Sequence, residues 1–222
     1  MSARRGSLKT AGMTLSRRHG LCLALRLPTL GIVASLASAP RVLAQAGDPA
    51  AATVERLHAA LLAAMQQATA LGVEGRYRQL TPAVGQAFDF PAMTRFAVGS
   101  RWASFSAQEQ ETLVAAFTRY SVASYAKNFD GFSGQSFQTQ RVEPRGEERI
   151  VVTRLNNPGS SPVDLTYRMQ QSGGAWKIVD VTHDNISEMA IRRSEFSASV
   201  REGGAALLLQ RLNELSNRLM QG

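Results

Sequence analysis

Few side chains in this sequence are placed to do chemistry, and the best placed lie together. Asp180, His183 and Asp184 fall at the end of an apolar run, Ala175-Trp176-Lys177-Ile178-Val179-Asp180-Val181. A carboxylate beside an imidazole can move a proton, because the carboxylate orients the ring and the ring titrates near neutrality. On a small cone of helices around a sheet, Asp180 and His183 would serve an isomerase or hydratase as acid and base. Strand-end polarity and a turn cap account for the same residues without catalysis. His58 lies in an Ala/Leu-rich stretch and is expected at the surface or the boundary of the core. Neither an H-x-x-x-H pair nor a D-x-D-x-D cluster is present, so no metal or cofactor is implied. Gly-x-Ser-x-Gly and Walker-type loops are missing too. Gly131-Phe132-Ser133-Gly134 follows a helical stretch, whereas a phosphate cradle precedes one. A chain this rich in apolar side chains and this poor in catalytic ones points to binding.

Charge narrows the class further. The formal net charge is +8, but of 25 basic residues seven lie in residues 1–46, which hold no acid. From Gly47 on, 18 basic face 17 acidic residues. That body lacks the basic excess by which proteins displace counterions from nucleic acid, so no nucleic-acid partner is expected. The N-terminal segment has the form of an export signal: Arg17-Arg18, an apolar small-residue stretch from Leu21 to Ala39, and Ala44-Gln45-Ala46 as an A-x-A cleavage site. Arg26 and Pro28 interrupt the apolar run, which weakens the alternative of an uncleaved anchor. Ser16-Arg17-Arg18 leaves open whether export is of the general or the twin-arginine type. Cys22 is the sole cysteine and lies inside this segment. The expected organisation is residues 1–46 as signal and residues 47–222 as one domain, held by its core without disulfides.

Hydrophobic periodicity then orders the body. Val54, Leu57, Leu61, Leu62 and Met65 predict a helix over 51–70, stopped by Gly72 and Gly75. Two or three short helices should follow, with Thr81-Pro82 and Asp89-Phe90-Pro91 as start signals and Phe88, Phe90, Met93, Phe96 and Trp102 turned inward. Ser106-x-x-Glu109 is a capping box before a long helix to about Asn128. Along it Leu113, Phe117, Ser121, Tyr125 and Phe129 recur four apart, as core or as a ligand-lining face. Four strand-like runs come next, 136–142, 148–155, 163–170 and 175–183, joined by turn-rich connectors. Short connectors require a meander of antiparallel neighbours. In the third run Val163, Leu165, Tyr167 and Met169 share a face, with Asp164, Thr166, Arg168 and Gln170 opposite. In the fourth, strict alternation groups Trp176, Ile178 and Asp180 against Lys177, Val179, Val181 and His183. From Ile186 the chain should be helical again, with one helix begun by Ser194-Glu195-Phe196, ended by Gly203-Gly204, and followed by Leu208, Leu212, Leu215 and Leu219. The fold class is α+β: N-terminal helices, a four-stranded curved antiparallel sheet and C-terminal helices enclosing an apolar space, an NTF2-like cone.

Four groups of residues carry a family resemblance: Phe88-Asp89-Phe90 with Gly99-x-x-Trp102; Tyr125; Val163 to Tyr167 with Trp176 to Val181; and Ser187, Ile191-Arg192, Phe196, Gly203 and Leu208. Together they resemble the MlaC, or toluene-tolerance, family of periplasmic lipid-carrying proteins, over about residues 54–212. Asn185 to Arg192 is more similar to the hopanoid-associated HpnM branch than to the phospholipid-shuttle branch.

The resemblance implies a soluble periplasmic carrier with no catalysis of its own. It would take a phospholipid or hopanoid between an inner-membrane lipid transporter complex and an outer-membrane lipoprotein, in the service of outer-membrane lipid asymmetry. Combined with alternation and helical phase, it suggests a pocket lined by Phe117, Tyr125, Val151, Leu165, Tyr167, Met169, Val179, Val181, Ile186 and Met189. Each of these fits plain core equally well. Arg101, Lys127, Arg192 or Arg193 could meet a phosphate or simply be solvated.

Overall fold

The structure is a computed structural model and describes residues 47–221. The export-signal expectation for 1–46 lies outside these residues. Helix α1 (Pro49–Gln66) starts two residues before the predicted 51 and ends four before the predicted 70, with the Asp48 carboxylate accepting from the Ala50 amide at 2.8 Å and proline in its first turn. Helix α2 (Ala68–Ala87) bends at Gly72, whose φ of 59° is open to glycine at little cost. Thr81-Pro82 does not begin a new helix as expected. The Thr81 hydroxyl donates to the Tyr77 carbonyl at 2.7 Å, and the helix runs through Pro82. A true start follows at α3 (Phe90–Val98), where Asp89 accepts from the Ala92 amide. A 3₁₀ turn (Gly99–Ser104) leads into α4 (Ala107–Asn128), which opens on the complete Ser106/Glu109 capping box.

The sheet is antiparallel in the order of the chain: β1 (Ser136–Arg145), β2 (Glu148–Asn156), β3 (Val163–Ser172), β4 (Ala175–His183) and β5 (Ile186–Ser187). The expected four strands are therefore five. Asp184 and Asn185, with φ of 49° and 64°, make the tight turn that folds Ile186 and Ser187 back onto β4. Short side chains that bond their own backbone make Asp and Asn tolerant of this region. The other half of the β4 edge is covered by Phe88 and Asp89, whose amide donates to the Ile178 carbonyl at 2.9 Å. Both devices blunt a strand edge that would otherwise invite another chain.

Strict alternation fails in β4. Met169 pairs with Ile178 while Arg168 pairs with Asp180, so Val179 is the extra residue of a β-bulge. The bulge returns Val181 to the face of Ile178, opposite Tyr167, and sends Asp180 to the face of Arg168. The outer face of the sheet is polar, with Arg154 bonded twice to Asp164 and Arg168 bonded to Glu148. The inner face meets the helices. Helix α5 (Glu188–Met220), capped by Ser187, begins before the expected start at Ser194 but after Ile186, which is strand instead of the expected helix, and it turns sharply at Gly203 and at Gly204, where φ is 66°. That turn fulfils the expected break at the glycine pair and lays the Leu208 and Leu212 stripe into the core.

Candidate functional site

The candidate site is the layer between the inner sheet face and the helices, and it is built row by row. Val142, Val151, Tyr167 and Val181 stand side by side across β1 to β4. Met169 and Ile178 form the neighbouring row, and Thr139, Thr153, Leu165 and His183 the row on the other side. Helices cover these rows with aromatics. Phe196 and Phe90 each meet Phe117 edge-on, at 5.0 and 5.8 Å between ring centres. The chain of rings continues through Phe88 to Tyr125 and Phe129 at 5.6 to 5.9 Å. Such edge-to-face and offset contacts each add about 0.5–1.5 kcal/mol beyond area burial.

Of the ten residues expected to line a pocket, Phe117, Val151, Tyr167, Met169 and Met189 are buried in this single apolar cluster. Tyr125, Leu165 and Val181 are half-buried and pack against it. Val179 is buried at the bulge but outside the cluster. Ile186 is 56 % exposed on β5 and stands apart. Between sheet and helices these side chains pack against one another.

Polar groups in the layer are few. His58 is buried, not at the surface or boundary as expected: it is 4 % exposed, stacks on Phe137 at 3.9 Å and shares a 2.9 Å hydrogen bond with the Tyr167 hydroxyl. Burial lowers its pKa from 6.5 to about 4, so it is neutral at pH 7. Burial, followed by the nearby charges of Tyr125 for Tyr167 and Glu188 for Tyr125, pushes both phenols well above their usual range. Arg76 is buried too, its guanidinium donating to the carbonyls of Ala126 at 2.7 Å and Ala68 at 2.9 Å. Nothing in the sequence marks it, because an arginine in a polar stretch reads as solvated.

The Asp180/His183 pair is not assembled. Asp180 shares a face with Arg168 and borders a shallow outer cleft of about 410 Å³, whereas His183 pairs with Leu165 on the inner face. Asp180 is instead bound to the start of α5: the Ser187 hydroxyl donates to it at 2.7 Å and the Met189 amide at 3.1 Å. Ser187 in turn caps the Ala190 amide. The exposed His183 ring lies 3.4 Å from Asp184. Of the cations that could meet a phosphate or simply be solvated, Arg192 pairs with Glu188 and Glu195 and lies over the Tyr120 ring, and Arg193 donates to the Phe96 carbonyl and covers its ring.

The family model for the MlaC protein matches residues 55–214, which spans every element of this layer. This chain belongs to the MlaC family. A solved structure with the same fold is the phospholipid-binding protein from Ralstonia solanacearum in complex with a phospholipid. It is 22 % identical, with a TM-score of 0.69 over 78 % of this chain and 99 % of that one. At that identity the likeness speaks to the fold. Among the described residues no helix is long and apolar enough to cross a membrane.

Proposed function

We propose that this MlaC-family chain is a periplasmic lipid carrier, not an enzyme. It would hold the acyl chains or ring system of a phospholipid or hopanoid between the inner sheet face and the helices. The observation that carries this reading is the continuous apolar layer from Val151, Tyr167 and Met169 to Phe117 and Met189 in a chain of this family. Burial is worth about 0.8 kcal/mol per methylene, so a two-chain lipid gains more than about 10 kcal/mol gross on leaving water. Chains taken from a membrane exchange one apolar surrounding for another, as does each ring that turns aside, so the gain keeps the lipid from water in transit while loading stays near balance. The head group stays at the mouth, in water.

The HpnM-like segment from Asn185 to Arg192 supports a hopanoid as one cargo. An inner-membrane transporter complex and an outer-membrane lipoprotein are the proposed donor and acceptor. Export with cleavage after Ala46 leaves residues 47–222 as the working domain, which the intact mass of the secreted protein tests. Native mass spectrometry of protein purified from a membrane-containing host tests the carrier role. Co-purified phospholipid or hopanoid supports it. A consistently empty protein that also takes no lipid from liposomes rejects it.

A further inference from the structure

One row of the inner face does not fit an all-apolar lining. Thr153 is fully buried at 0 % exposure, and among the described residues its Oγ1 is the buried side-chain polar atom that makes no well-formed hydrogen bond, although the hydroxyl lies near enough to the Tyr167 phenol to favour its ionised form. Its register partner on β3 is Leu165, which puts it one diagonal step from Tyr167 on the same face. The Tyr167 hydroxyl is engaged on one side by His58. A neutral imidazole nitrogen and a phenol make one hydrogen bond between them, which leaves the phenol oxygen with further capacity. Phe137 closes the spot by stacking on His58. A hydroxyl donor thus lies beside a phenol inside an apolar wall, contributed by three separate elements, α1, β2 and β3. A buried polar atom without a partner is uncommon in folded proteins, and a group that arrives with the ligand is one way to satisfy it.

We propose that Thr153, Tyr167 and His58 form a polar subsite within the lipid layer that takes a hydrogen-bonding oxygen of the cargo. This deepens the carrier reading above and rests on it. The oxygen accepts from the Thr153 hydroxyl and sits against the Tyr167–His58 pair. Two parts of a lipid offer that chemistry, the ester carbonyl of a diacyl lipid and a hydroxyl on the apolar chain. A lipid with neither leaves Thr153 unpaired in the complex and is bound less well. The subsite is neutral, so it discriminates by oxygen placement and not by head-group charge.

The test uses the delipidated mature chain and vesicles holding equal amounts of three phosphatidylglycerols: diacyl, dialkyl ether, and dialkyl ether with one mid-chain hydroxyl. Native mass spectrometry reads the bound fraction of each. The expected result is a preference of about fivefold for one or both oxygen-bearing lipids over the plain ether, the size of one neutral hydrogen bond. Enrichment of the diacyl lipid alone identifies the ester carbonyl, and of the hydroxylated ether alone the chain hydroxyl. Thr153→Val, which keeps the shape and removes the hydroxyl, should erase the preference while plain ether is still taken up. Thr153→Ser should keep it. Equal uptake of all three by the wild type, or a preference that survives Thr153→Val, overturns the subsite and leaves the carrier role standing. No uptake of any lipid by the wild type overturns both.

Discussion

His58 makes stability depend on pH in a way that can be worked out beforehand. It is buried against Phe137 and Tyr167, and burial lowers its pKa from 6.5 to about 4. Because the folded ring resists a proton that the unfolded chain accepts, the unfolded state binds more protons between those two values. The contribution of this residue is therefore fully present above pH 6.5 and is lost as pH falls toward 4. At 1.36 kcal/mol per pH unit the loss is about 2 kcal/mol at pH 5 and about 3 kcal/mol at pH 4. His58→Gln cannot titrate and isolates the effect, since all carboxylates are common to both proteins. Urea unfolding from pH 8 to pH 4.5 is the assay. The variant should be less stable at pH 7.5, and the gap should narrow by about 2 kcal/mol by pH 5. With a slope of 1–3 kcal/mol per molar urea, that is roughly 1 M in midpoint. Wild-type and variant curves that stay parallel over this range would refute the buried, neutral assignment.

Four further perturbations follow from named contacts. Asp180→Ala removes both acceptors that hold Ser187 and the Met189 amide, and should cost about 1–3 kcal/mol in urea unfolding. Asp180→Asn should leave lipid uptake from liposomes largely intact, whereas an acid/base role for Asp180 requires loss of function. Arg76→Met strips the Ala126 and Ala68 carbonyls of their buried donor, and its thermal midpoint should fall by several degrees, a loss of about 2–4 kcal/mol. Thr153→Val should raise the stability of the lipid-free protein by about 1 kcal/mol, because it removes a buried hydroxyl with no well-formed hydrogen bond; a loss instead would show the hydroxyl to be satisfied by the nearby Tyr167 phenol.

Much of the fold could be read from residue order because its signals are local. The Ser106/Glu109 box, the Asp89-Phe90-Pro91 start and the alternation from Val163 to Met169 each depend on neighbours within a few positions. The misses at Val179 and His58 are non-local, and that at Ile186 is a local turn read as helix. Nothing near Val179 announces a bulge, which exists because β4 must keep both Ile178 and Val181 on the helix side. Ile186 follows a helix-like pattern yet pairs with His183, since an Asp184-Asn185 turn can be made there. His58 looked peripheral among alanines, and only Tyr167, distant in sequence, gives its ring a partner. The apolar layer was legible as a set of apolar positions. The polar row within it was not, because Thr153 in an apolar strand run is indistinguishable from ordinary β-branched filling.

The central claim is that a lipid's apolar part lies between the inner sheet face and the helices. A phospholipid carrying a diazirine at the end of one acyl chain tests it most directly. The probe is loaded from liposomes, photolysed and located residue by residue by tandem mass spectrometry. The account predicts label on the inner row and its covering helices, at Val151, Tyr167, Met169, Phe117 or Met189. Label confined to the outer face, at Arg154, Thr166 or Arg168, would contradict it.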